Sequence, residues 1–112
     1  MTSICEKKYY PHKLVRAGEM LVIGDRPSIG HRDIVRYVIP AFRDLSDDQI
    51  GERLLDGDEV DMALVSRVGN VIEVEGVSST FNYPPEDIRM KVRARTMELL
   101  QEKYPDEIFV EV

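Results

Sequence analysis

Ser28, His31 and Asp33 are the residue types of a nucleophilic triad, the first chemistry to weigh in this 112-residue chain. Their spacing argues against it. All three fall within six residues, mostly on one helical turn, whereas triad members converge from separate elements so that base and nucleophile face each other. The surrounding stretch, Leu21-Val-Ile-Gly24-Asp-Arg-Pro-Ser-Ile-Gly30-His31-Arg32, reads instead as strand, glycine-containing loop and helix start. Unpaired N–H groups and the positive end of the helix dipole receive phosphate or carboxylate at such a place. Arg26, Ser28, Gly30, His31 and Arg32 are its candidate anion-binding residues. The stretch is neither a Walker-type phosphate loop nor a dinucleotide fingerprint, and it has no Lys to reach a terminal phosphate. Gly residues at connectors are ordinary, so an ordinary loop stands beside a nucleotide or small-anion site.

Metal chemistry finds little support. Asp56-Gly-Asp58-Glu-Val-Asp61 puts acids on a short loop, but its Gly lies between the first two acids and residue 60 is apolar, unlike a calcium-binding helix–loop–helix. With two His and one Cys, a zinc centre would need carboxylates to complete it. His12, alone beside Tyr9, Tyr10 and Pro11, reads as a structural or exposed histidine rather than a base. No metal and no cofactor is expected.

Charge is the most uneven feature. Asp44, Asp47, Asp48, Glu52, Asp56, Asp58, Glu59 and Asp61 stand against Arg53 alone, a segment charge of −7 in a chain whose net charge is −6. The rest of the chain therefore nets +1. Such a lobe steers and selects a partner with a basic surface; the plain alternative is a solvated helix whose first-turn acids suit the dipole. Two basic groups answer it. Lys7-Lys8-Tyr9-Tyr10 with His12 and Lys13 has the composition of a single-strand nucleic-acid contact, opposed by the acidic whole. Lysines on an edge strand, which discourage sheet pairing, explain it as well. Arg89, Lys91, Arg93 and Arg95 spread over more than half of a helix circumference; pairing with the acidic lobe, of this chain or of a second copy, is expected in preference to the alternative, phosphate binding.

These residues must be positioned by short elements. Residues 3–10 suit an edge strand or ordered arm closed by Pro11, and residues 14–23 a hairpin broken at 17–19. Ile34, Val35, Val38 and Ile39 recur at helical spacing, with Ser28 or Gly30 near the start and Pro40 at the end. Ser46-Asp47-Asp48-Gln49 is a capping-box pattern opening a second helix, with Gly57 as its C′ residue. Residues 60–67 and 71–77 flank Val68-Gly69-Asn70, the clearest hairpin signal. Pro84-Pro85-Glu86-Asp87 begins a long helix. Ile88, Met90, Val92 and Ala94 alternate with basic residues, as in a strand, but the good helix formers of residues 86–103 predict helix. Residues 108–112 predict a terminal strand.

The order β-β-α-α-β-β-α-β predicts one α+β domain over residues 1–112, a two-layer sandwich with a mostly antiparallel sheet and helices on one face, a ferredoxin-like variant being one form of it. The lone Cys5 excludes an intrachain disulfide and suits a reducing, cytoplasmic setting. No apolar run approaches the roughly 20 residues of a membrane helix, and the N-terminus lacks an apolar stretch after its charges. Three readings of function follow. The first is a non-catalytic protein-interaction or regulatory module that presents the acidic lobe to a basic protein partner, with a homodimer as one form. The second is a small-molecule or nucleotide binder, or an enzyme, using the 24–32 loop. The third is an acidic mimic of nucleic acid that inhibits a nucleic-acid-binding protein.

Overall fold

The computed structural model describes residues 4–6, 10–55 and 59–112. β1 (His12–Ala17) pairs antiparallel with β2 (Met20–Ile23) and with β3 (Val60–Val68). β3 pairs antiparallel with β4 (Val71–Glu75), and β4 pairs parallel with β5 (Phe109–Glu111). The sheet order is β2-β1-β3-β4-β5. Three helices pack against it: α1 (His31–Val38), α2 (Asp47–Leu54) and α3 (Glu86–Lys103). The fold is thus a single-domain α+β structure with a mostly antiparallel sheet, as the element order predicts.

Local chemistry sets most boundaries. Gly18 (φ +58°) and Gly69 (φ +62°) make the two hairpin turns, where a side chain would strain the backbone. The capping box of α2 is formed in both directions: Ser46 Oγ accepts from the Gln49 N–H at 3.2 Å, and Gln49 Oε1 accepts from the Ser46 N–H at 2.9 Å. α1 ends at Val38, before Pro40, and a 3₁₀ turn at Pro40–Phe42 drops Phe42 into the core. α3 starts after Pro85 with Glu86 and Asp87 in its first turn and stops before Pro105, so the helical reading of 86–103 holds despite its alternation. The expected C′ role of Gly57 lies outside the described residues. Residues 4–6 run beside β3 past the start of β1, with a parallel bridge from Glu6 to Arg67 and an Arg67 N–H bond to the Cys5 carbonyl at 2.8 Å. The remainder of the expected arm, residues 1–3 and 7–9, lies outside the described residues.

The layering departs from the expectation of helices on one face. β1 and β3 carry apolar side chains on both faces: Leu14 pairs with Ala63 and Val15 with Met62, and all four are fully buried. A strand covered on both sides reads as a nearly continuous apolar run. Val15, Val60 and Met62 pack with Ile34, Val35 and Val38 of α1 and with Ile50 and Leu54 of α2. Leu14, Ala63, Val65, Ile72 and Val74 pack instead with Leu100 and Met97 of α3. The sheet therefore lies between α1 and α2 on one face and α3 on the other. That placement, with a parallel β5 at the edge, is not a ferredoxin-like sandwich, in which the helices share a face.

Candidate functional site

The acidic segment divides once it is folded. Asp61 sits in β3 with its side chain fully buried, so it is not part of a docking surface. Its carboxylate accepts from Arg93 Nε at 2.8 Å and from Arg93 Nη2 at 3.0 Å. Asp47 is half-buried between Arg32 at 3.0 Å and Arg36 at 2.9 Å. Glu59 is exposed and lies 3.4 Å from Arg16. Asp44, Asp48 and Glu52 are exposed, with no ion pair among the described residues. Asp56 and Asp58 lie outside the described residues. Among the described residues, Arg93 is the member of the basic cluster that turns to an acid of the lobe, while Arg95 bridges Glu19 (2.7 Å) and Glu98 (2.8 Å), which hold its guanidinium above its usual pKa.

Arg16 is the residue the sequence reading passed over. It lies directly opposite Asp61 in the β1–β3 register, on the α3 face, and is fully buried. Its Nε donates to Thr96 Oγ1 at 2.6 Å, Nη1 to the Gly18 carbonyl at 2.7 Å and Nη2 to the Val92 carbonyl at 2.6 Å. Arg93 completes its own set on the Gly76 carbonyl at 2.7 Å. The donors named here all meet oxygens of the backbone or of side chains, and no buried side-chain nitrogen or oxygen among the described residues lacks a partner, which makes this a structural clasp between sheet and α3. The only sequence signal for it was a strand position: Arg16 shares a face with the buried Leu14.

The proposed anion ligands do not converge. His31 turns inward, buried, with Nε2 2.8 Å from the Ala63 carbonyl; burial lowers its pKa, partly offset by that bond. Arg32 reaches across to Asp47 of α2. Arg26 and Ser28 are exposed in the loop, and Gly30 caps α1 without a side-chain bond. The nearby cleft, about 380 Å³, is lined by Val22, Ile29, Ile34 and Tyr37 with two acids, Asp25 and Asp33, which repel an anion. Asp33 faces that cleft while His31 faces the core, so the Ser28-His31-Asp33 set has no triad geometry. His12 is also structural: Nε2 accepts from the Cys5 N–H at 3.1 Å, so Nδ1 carries the proton and donates to the Gly24 carbonyl at 2.8 Å. Among the described residues, no three His, Cys, Asp or Glu side chains gather as metal ligands would.

Two of the exposed acids, Asp48 and Glu52, border a groove. One wall is α2 with its C-cap, where Asp48, Gly51, Glu52 and the capping Leu55 follow each other at helical spacing along one side. The other is the 78–85 turn, which contributes Thr80, Phe81, Asn82 and Pro85. That turn is fixed by the Ser78–Tyr83 bridge, by the Phe81 N–H on Ser78 Oγ at 3.3 Å and by Tyr83 buried in the core. The space between the walls is about 570 Å³. Leu55 is 64% exposed at its mouth. Gly51, Leu55 and Phe81 were not among the sequence candidates; a glycine inside a short helix was their one available trace.

No helix among the described residues is long and apolar enough to cross a membrane. No known protein family, no characterised protein and no solved structure matches this chain.

Proposed function

We propose that this protein is a non-catalytic interaction or regulatory module that docks a protein partner with a basic surface through the acids on and before α2. The observation that supports it is the exposure of Asp44, Asp48 and Glu52, without ion pairs among the described residues, with Asp48 and Glu52 on one side of α2. Uncompensated carboxylates held on a capped helix raise encounter rate and select for positive partners. The candidate groups for catalysis are otherwise engaged, since His12, His31, Arg16 and Arg93 all hold internal bonds. The lone Cys5 fits a reducing compartment, so we place the protein in the cytoplasm. The test is affinity capture from cell extract with the native chain and an Asp44→Lys/Asp48→Lys/Glu52→Lys variant. Partners lost on charge reversal and released by salt support this reading; partners retained by the variant overturn it. Competition of captured partners by DNA or RNA would shift the reading to nucleic-acid mimicry.

A second copy of the chain is a further partner, favoured by the sheet edge. Among the described residues β5 has one neighbouring strand, and Ile108, Val110 and Val112 along it are exposed. Antiparallel pairing of two β5 strands would cover that edge. Light scattering of the native chain against Val110→Lys tests it: a native dimer that the variant splits supports pairing, and a native monomer removes it.

A further inference from the structure

We infer that the groove between α2 and the 78–85 turn is a peptide-binding site for a Lys/Arg-rich segment of a partner protein that carries an apolar anchor side chain. This rests on the docking reading above and adds where the partner sits and what it must contain.

Three independent features point there. The first is Gly51. It lies inside α2, where glycine is less favourable than alanine. A Cβ built on it meets nothing within 4 Å, so neither packing nor backbone conformation requires a glycine. A glycine that weakens its own helix and lines a groove leaves the helix backbone open to close approach by another chain. The second is apolar surface in the same place: Leu55 at the mouth and Phe81 on the opposite wall, half-buried on a turn fixed by its own hydrogen bonds. An exposed Leu facing a held aromatic forms a slot for an apolar side chain. The third is charge. Asp48 and Glu52 stand one helical turn apart on the rim, so the groove selects a positive segment and rejects an acidic one. Asp47, also lining the groove, is already neutralised by Arg32 and Arg36, so Asp48 and Glu52 carry the attraction.

The probes are fluorescein-labelled synthetic peptides of about twelve residues: Lys/Arg with interspersed Leu or Phe, Lys/Arg with Ser in place of the apolar residues, and Glu with Leu or Phe. Fluorescence anisotropy is read on the full chain and on Gly51→Leu, Leu55→Ala, Glu52→Lys and Glu102→Lys. Glu102→Lys, on exposed α3, matches the charge change of Glu52→Lys away from the groove. Circular dichroism and thermal melts check that each variant is folded; Leu at position 51 is a better helix former than Gly, and its Cβ meets no clash. The expected result is selective binding of the basic–apolar peptide. Affinity should fall at least about tenfold in Gly51→Leu and Glu52→Lys, less in Leu55→Ala, and little in Glu102→Lys. If basic peptides bind equally with Ser or with Leu, and Gly51→Leu binds like the native chain, the groove is overturned while the acidic docking surface stands. If no basic peptide binds, or the acidic one binds best, both are overturned.

Discussion

The Asp61 carboxylate and the Arg93 guanidinium meet in a two-pronged contact, Nε to Oδ2 at 2.8 Å and Nη2 to Oδ1 at 3.0 Å, with both side chains shut off from water. Directly across the strand register stands a second buried guanidinium, Arg16. Two cations thus flank one buried anion, and the difference is absorbed by carbonyls of Gly18, Gly76 and Val92 and by the partly solvated Glu59. A buried ion pair gains little over a well-packed apolar pair, yet losing one member leaves the other charged and desolvated.

Asp61→Asn should therefore destabilise the fold by about 3–5 kcal/mol. Asp61→Leu combined with Arg93→Met should be far less damaging than the sum of the two single changes, because the orphaned charge is gone. Urea unfolding followed by circular dichroism measures both. A loss under about 1 kcal/mol in Asp61→Asn would mean that the pair does not hold α3 to the sheet.

Thr96 isolates the hydrogen-bonding half of the clasp. Thr96→Val keeps the shape but removes the oxygen that accepts from Arg16 Nε at 2.6 Å. A buried guanidinium N–H without a partner should lower stability by about 1–3 kcal/mol. Thr96→Ser, which keeps the hydroxyl, should lose less. A loss in Thr96→Val no larger than that in Thr96→Ser would show that the Arg16 bond adds no more to stability than the packing of the methyl group.

The capping box fixes the helix that carries the exposed acids. Ser46→Ala removes the acceptor for the Gln49 N–H and should cost about 1 kcal/mol. Fraying should begin at Asp47 and Asp48, seen as faster amide exchange in the first turn of α2 before any change in the sheet. Uniform loss of protection across the whole chain would show that the cap acts globally rather than locally.

His31 gives the fold a dependence on acidity. Burial lowers its pKa below the usual 6.5, so in mild acid the unfolded chain takes up a proton that the folded chain resists. That contribution is neutral above the unfolded value and becomes destabilising as pH falls through it. Urea midpoints should drop between about pH 7 and pH 5, and His31→Gln should flatten the drop over that window. An unchanged slope in the variant would place the acid sensitivity on the paired carboxylates.

Signals confined to a few consecutive residues were readable from the chain itself. Ser46 through Gln49 capped α2, Gly69 turned the β3–β4 hairpin, and two proline-bearing ends bounded α3, because each of these depends on backbone geometry and on neighbours within one turn. The alternation from Ile88 to Arg95 was a weaker guide. The buried side of α3 carries Arg93 and Thr96 beside Val92 and Leu100, so no clean apolar stripe marks the helix. Arg93 can be buried there only because Asp61 neutralises it from another element.

What the order of residues could not supply was the side of the sheet on which each strand residue falls and what covers it. Asp61 belongs, by sequence, to the same acidic run as Asp48 and Glu52. β-strand alternation turns it toward α3, while helical spacing leaves Asp48 and Glu52 beside a groove whose far wall arrives from residues 78–85. One-dimensional charge density is set by composition. Whether a charge is clasped or displayed is decided by strand register and helix packing, because desolvation and pairing depend on neighbours that the chain brings together only on folding.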